Sequence, residues 1–297
     1  MASKQDLSEV FASLVEASSA SVVRVEARHR TPSTGVVWSS DGVVITAHHT
    51  VEREDGIEIG FADGKVLPAT LIGRDPGSDV AVLKVAATRL TAPNWSEADG
   101  LKVGHLALAV ARPGRTARAA MGIVSALGGE WRTPSGGRMD RYLQTDLELQ
   151  PGFSGSLLID VSGRAIGINT SGLWRGHSLA IPTTTLRRTV DALLAHGRIR
   201  RGFVGIGTFP VRLPSKLEPQ AGQSNALLVI AVQPDSPAER AGLTLGDALL
   251  SIEGQRLGQV DDLLEALTEE AIGKDLKLRI LRAGQIQELG VNVGTRS

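Results

Sequence analysis

Between residues 21 and 182 the chain is a series of short apolar runs of β type, each cut off by a turn signal. "SVVRVEA", "TGVVWSS", "GVVITA", "GIEIGFA", "KVLPATLIG" and "VAVLKV" come first, and "HLALAVA", "AAMGIVSALGG", "RYLQTDLEL", "SLLIDV", "AIGINTSG" and "SLAIP" follow. Asp-Gly, Asp-Pro-Gly and proline-rich breaks separate them. Many short strands at even spacing fit an all-β barrel or sandwich, because every break turns the chain back after one strand.

The texture differs on both flanks. Residues 1–20 read as a short amphipathic helix with Leu7, Val10, Phe11, Leu14 and Val15 on one face. This start lacks a basic head followed by an apolar stretch. It therefore reads as the start of a cytoplasmic chain, or of a periplasmic or cell-envelope chain whose export signal has been removed. "TTTLRRTVDALLAHGRIRRG" has Leu186, Val190, Leu193 and Leu194 at helical spacing, with Gly197 as a C-cap. Beyond it, strands alternate with one or two helices in a small α+β module, and "PVRLPSKLEPQAGQSNA" reads as a surface loop within it. The expected division is 1–20 helical segment, 21–200 β domain and 201–297 α+β domain.

Composition narrows the function. A chain of 297 residues suits about two domains. Lys+Arg and Asp+Glu are 32 each, so no net field favours nucleic acid or an anionic membrane. Aromatics are 3%, too few for a base-stacking surface. With no cysteine, disulfides, thiolate zinc sites and cysteine nucleophiles are excluded. No apolar run reaches membrane-spanning length. Neither a cofactor nor a metal is expected.

"QPGFSGS" places Ser154 between glycines just before the apolar "LLID". The Gly-x-Ser-x-Gly elbow fails at Ser156. A serine hydroxyl needs a base to take its proton, and the base needs an acceptor to hold its tautomer. Of six histidines, His48 and His49 lie together at the end of the strand "GVVITA". Alternation along a strand lets only one of them face inward. Asp79 stands at the mouth of the apolar strand "VAVLKV", a costly place for an unpartnered acid. Asp75, before Pro76, reads as a turn residue. The chain order His, Asp, Ser is that of the chymotrypsin-type barrel.

At these residues the chain resembles the HtrA-type serine proteases. "VVITAHHTV", "DPGSDVAVLKV", "GIVSALG", "LQTDLELQPGFSGSLL", "AIGINTSG", "LAIP", "RRGFVGIG" and "SPAERAGLTLGDALLSIEG" are similar, in order, to that family's motifs. The resemblance implies a mainly β protein, a chymotrypsin-like double β-barrel followed by a small α+β PDZ domain. Carried over by position, it implies His49 as general base, Asp79 as its orienting acid and Ser154 as nucleophile. The N–H groups of Gly152 and Ser154 would form the oxyanion hole. Leu149, Thr170 and Ser171 would line the substrate pocket. Glu148 could join them, although a solvated carboxylate is the plainer reading. Val204, Gly205 and Ile206 would form the carboxylate-binding loop of the PDZ domain, and Leu263, Leu264 and Leu267 read as core. The implied activity is ATP-independent cleavage of unfolded or misfolded polypeptides, with peptide C-termini held by the PDZ domain. The implied assembly is a homotrimer, with Phe11 as one contact. The sequence departs from the family at Phe153, Ser156 and "ARPGR", all around the oxyanion loop. Phe153 and Ser156 motivate an alternative, a proteolytically silent peptide-binding protein or chaperone using the same groove and PDZ domain.

Overall fold

The computed structural model describes residues 7–29, 31–174 and 176–295. The chain divides into two compact units, Met1–Ile199 and Arg200–Ser297.

The first unit begins with helix α1 (Leu7–Ser19). Phe11, Leu14 and Val15 are partly buried against the core, while Leu7 is 70% exposed. Strands β1 (Val22–Glu26), β2 (Ser33–Ser39), β3 (Val43–Ala47), β4 (Ile57–Gly60), β5 (Val66–Asp75) and β6 (Val80–Val85) close a barrel in the order β1-β2-β3-β6-β5-β4. Next come β7 (Leu106–Ala111), β8 (Arg118–Gly128) and a small hairpin, β9 (Trp131–Arg132) and β10 (Arg138–Met139). Then β11 (Tyr142–Thr145), β12 (Leu157–Asp160), β13 (Ala165–Thr170) and β14 (Ser178–Pro182) join β7 and β8 in a second barrel, β11-β14-β13-β12-β7-β8. Closure pairs every strand on both sides and leaves no edge.

Several of these strands are apolar at nearly every position because both faces are covered. Val23, Val25, Val44, Ile59 and Leu83 fill the first barrel. Val22, Val36, Ile45, Val80 and Val82 point the other way and meet Leu157, Ile159, Ile168 and Ile181 of the second. The second barrel has its own filling, including Leu143, Leu147, Phe153, Leu158 and Ile166. Helix α2 (Thr183–His196) closes the unit against β5 and β6. Leu186, Val190 and Leu193 are buried, whereas Leu194, expected on the same face, is 44% exposed. Gly197 ends the helix at φ 69°, its N–H donating to Leu193 O at 2.8 Å, the left-handed cap that glycine favours.

In the second unit β15 (Gly202–Phe203) precedes β16 (Ile206–Arg212), α3 (Glu218–Ala221), β17 (Asn225–Val232) and α4 (Pro237–Arg240). There follow β18 (Ala248–Ile252), β19 (Gln255–Arg256), α5 (Val260–Ala266), β20 (Asp275–Arg282), β21 (Gln285–Asn292) and β22 (Gly294–Thr295). The main sheet runs β16-β17-β18-β20-β21, with β19 on β18, and β15 pairs with β22. The segment expected as a surface loop is part strand and part helix. β16 continues through Arg212, and α3 forms with proline in its first turn and Gly222 at φ 74° after its last residue. Beside the sheet, buried Asp247 accepts Arg282 Nε and Nη2, both at 2.7 Å, and the Thr244 N–H at 2.8 Å.

Candidate active site

The polypeptide leaves β3 in one tight helical turn, His48–Thr50, closed by the Thr50 hydroxyl donating to Ala47 O at 2.7 Å. Asp79, just before β6, is buried and has φ 58°, a left-handed conformation that aspartate tolerates better than most residues. Its carbonyl accepts the His48 N–H at 3.0 Å, and its Oδ1 accepts the His49 N–H at 2.9 Å. The His49 ring meets the same carboxylate, with Nδ1 2.8 Å from Oδ2 and 3.1 Å from Oδ1. The Thr170 hydroxyl also donates to Oδ2. An ionised carboxylate only accepts, so Nδ1 carries the ring proton and Nε2 is left basic.

His48 turns away from this pair. Its side chain is half-buried, its Nδ1 has no partner among the described residues, and burial holds its imidazole below the usual histidine range. Asp75 serves its own turn, accepting from Gly77 N–H, Ser78 N–H and the Ser78 hydroxyl at 3.1, 2.9 and 2.7 Å.

Ser154 lies in the loop before β12. Its Oγ is 3.0 Å from Ser171 Oγ and accepts the Ser171 N–H at 3.4 Å; it makes no hydrogen bond to His49. Ser154 and His49 nevertheless line one cleft of about 330 Å³, together with Arg28, Thr31, Leu149, Gln150, Pro151, Gly152 and Ser171. Such bonds often tighten only when substrate arrives. Gly152 has φ 90°, and a Cβ there would lie 2.4 Å from Pro113 Cβ and 2.9 Å from Pro32 O, so glycine is required. The Phe153 N–H donates to Gln150 O at 2.9 Å. The Gly152 carbonyl accepts the Thr34 hydroxyl at 2.8 Å, and the Ser154 carbonyl accepts the Thr34 N–H at 3.3 Å. Among the described residues nothing accepts from the N–H of Gly152 or of Ser154. Two uncommitted donors beside a serine hydroxyl suit an oxyanion.

The departures around this loop are accommodated. Phe153 is fully buried in the second barrel, pointing away from the cleft. Ser156 is fully buried, and its hydroxyl accepts the Asn169 amide at 2.9 Å. In "ARPGR", Pro113 supplies the surface against which Gly152 packs.

The expected pocket residues separate. Leu149 and Ser171 line the cleft, and Glu148 is exposed outside it. Thr170, expected in the pocket, is instead fully buried beneath Asp79. Strand β13 ends at Thr170 and the chain bends at Ser171, so Ser171 reaches the cleft while Thr170 stays under Asp79. Asp146 ties the loop base to β8, its Oδ1 accepting the Ile123 N–H at 2.6 Å.

Two participants escaped the sequence reading. A Cβ on Gly172 would stand 2.5 Å from His49 Nδ1 and 2.7 Å from Asp79 Oδ2, so the backbone must approach the pair bare. The glycine of "INTSG" was the available signal. Thr34, the clamp on the serine loop, left no signal, because its partner Gly152 lies 118 positions away.

In the second unit Gly205 has φ 83°, and a Cβ there would lie 2.3 Å from Ser236 Cβ. The carbonyls of Val204 and Gly205 are tied back to Ala238 N–H and Gln233 N–H, both at 2.8 Å. Ile206 then starts β16, an edge strand of the main sheet beside α5. An open edge next to a helix is the geometry for adding a peptide strand. Leu263 and Leu267 are buried in the core, and Leu264 is partly buried.

Comparison with known proteins agrees with this architecture. Residues 33–168 match the trypsin-like peptidase domain and 205–293 the PDZ domain. A probable periplasmic serine endoprotease, DegP-like, of Chlamydia trachomatis is 32% identical over 91% of this chain and 55% of its own. The protein of the same description from Pseudomonas fulva is 36% identical over 88% and 55%. The chain thus spans about half the length of the curated relatives it matches. Among solved structures, the HtrA-type protease AlgW with tripeptide is 30% identical with TM-score 0.77, covering 97% of both chains. A serine endoprotease from Yersinia pestis is 27% identical with TM-score 0.78, covering 97% of this chain and 98% of its own. Two closed six-stranded barrels, a trypsin-like match over them and a PDZ match behind them leave one conclusion: the chain belongs to the HtrA-type family of serine proteases.

Proposed function

We propose that this chain is an ATP-independent serine endopeptidase acting on unfolded or misfolded polypeptides. The observation that carries the reading is the buried Asp79 carboxylate holding His49 Nδ1 at 2.8 Å on the cleft that Ser154 lines. In the reaction, Ser154 Oγ attacks the substrate carbonyl and His49 Nε2 takes its proton. The tetrahedral oxyanion accepts the N–H groups of Gly152 and Ser154. His49 then protonates the leaving amine, and water attacks the acyl-enzyme by the same route in reverse. Leu149 in the cleft supports a small aliphatic residue before the cut.

Residues 201–297 would hold peptide C-termini, the Val204–Gly205–Ile206 loop receiving the carboxylate and β16 pairing with the peptide. Residues 21–200 would be the catalytic domain, preceded by the 1–20 segment, in a homotrimer. No helix among the described residues is long and apolar enough to cross a membrane. The relatives' description as periplasmic supports work in the cell envelope.

Phe153 and Ser156 gave the proteolytically silent alternative its motive, and their burial away from the cleft removes it. The test is digestion of casein by the parent and by Ser154→Ala, with fluorophosphonate labelling of both. Turnover and labelling in the parent alone are expected. Undiminished digestion by Ser154→Ala would sink the proposal.

A further inference from the structure

Thr34, fully buried on β2, bonds both the serine loop and the strand that leads to His49 without lining the cleft. Its N–H donates to Ser154 O at 3.3 Å, and its hydroxyl donates to Gly152 O at 2.8 Å. Its Oγ1 accepts the Arg112 N–H at 3.0 Å, and its carbonyl accepts the Thr46 hydroxyl at 2.7 Å. Thr46 belongs to β3, the strand that delivers His49. One residue of the first barrel therefore places the serine loop and the histidine turn in a common frame.

The direction of the hydroxyl bond is determined. A threonine hydroxyl has one proton. Arg112 N–H can only donate and Gly152 O can only accept, so the proton points at Gly152. Arg112 is itself immobilised, its guanidinium donating to Ser19 O, Val22 O and Arg115 O at 2.9, 2.9 and 2.8 Å.

The Gly152–Phe153 peptide is thus held at both ends, its N–H by Gln150 O and its C=O by Thr34. This matters because the loop has little stiffness of its own: Gly152 and Gly155 have φ 90° and 85°, and glycine moves easily between such states. Turning the peptide over would break both bonds and leave a buried carbonyl unpaired. Thr34 O also lies 2.0 Å from where a Cβ of Gly155 would be, so the loop is seated on this backbone on both sides of Ser154.

We infer that Thr34 is a positioning residue for catalysis: its hydroxyl fixes the Gly152 carbonyl and, through the Gly152 Cα, steadies the preceding peptide, whose N–H serves the reacting carbonyl. The inference rests on the proposed roles of Ser154 and Gly152. Thr34→Val keeps the shape and removes the hydroxyl, whereas Thr34→Ser keeps the hydroxyl.

The readouts are kcat and KM on a fluorogenic peptide and the inhibition constant of a peptide boronic acid, all normalised to the fraction of enzyme titrated by a fluorophosphonate. Removing an oxyanion donor outright lowers kcat by about 10²–10³. Misplacing one donor is expected to lower it by about 10–10² in Thr34→Val, with KM changed less than about two-fold. Boronate affinity should fall in parallel with kcat. Thr34→Ser should recover to within about three-fold of the parent. If Thr34→Val does not fold, Thr34→Ala is measured in its place against the same expectations. Unchanged kcat, a loss confined to KM, or equal losses in Thr34→Val and Thr34→Ser would overturn the inference. A parent that neither labels nor turns over defeats the serine-protease reading and this inference together. An active parent matched by an equally active Thr34→Val defeats this inference alone.

Discussion

Asp79 binds His49 twice: its carboxylate takes the imidazole Nδ1 at 2.8 Å and the backbone N–H of the same residue at 2.9 Å. Ring and main chain are oriented by one side chain, which is itself fixed by the Thr170 hydroxyl. A charge so deep in the protein is tolerated because hydrogen bonds replace its hydration.

Asp79→Asn should keep the fold and lose the tautomer. An amide can donate to Nδ1, which moves the ring proton to Nε2, where it blocks proton abstraction. The expected loss in kcat is about 10⁴-fold, with KM little changed. Steady-state kinetics on a peptide substrate, beside circular dichroism, will check it.

His48 is predicted to be dispensable for chemistry. Its ring is half-buried, its Nδ1 has no partner among the described residues, and burial holds its imidazole below the usual histidine range. His48→Gln should retain kcat within about ten-fold, while His49→Gln should lose about 10⁴-fold or more. The reverse ranking would reassign the base.

Phe153 should matter first to stability. Its ring fills the second barrel among Leu143, Leu147, Leu158 and Ile166. Phe153→Ala removes that burial and leaves a cavity, costing about 3–5 kcal/mol, and Phe153→Leu should cost distinctly less. Urea unfolding of each variant measures the difference.

The second unit should show an acid-sensitive step centred on Asp247. Burial alone would raise this carboxyl, but bonds from Arg282 and Thr244 outweigh it and hold the group below the usual carboxylate range. A depressed folded pKa means the unfolded chain binds the proton first. The stabilisation is present above the ordinary value of 3.8 and disappears as pH falls through the lower folded value. Asp247→Asn should therefore weaken unfolding resistance near neutrality and flatten its pH dependence below about pH 4. Thermal scans from pH 7 to pH 2 on the full chain will read this.

Glu148 should not select substrate. It is exposed outside the cleft that Leu149 lines. In digests of a denatured protein, Glu148→Ala should leave small aliphatic residues before the cut, as in the parent. Lys or Arg before the cut, lost on mutation, would contradict this.

Much of the molecule was legible in the residues themselves. The strand runs, the capping Gly197, the turn at Asp75 and the order of His49, Asp79 and Ser154 are local patterns, set by steric preference and short-range spacing. What the runs could not reveal is which face of a doubly apolar strand looks into a barrel and which between barrels, since both faces read alike. Nor could they show that Phe153 turns inward, that Thr170 lies under Asp79 from 91 positions away, or that Thr34 clamps Gly152 across 118 positions. Sequence alone determined which groups are available for the chemistry. Their distances and directions were decided only when the two barrels closed and packed, because hydrogen-bond geometry depends on the spatial neighbour and carries no trace in the residues adjacent along the chain.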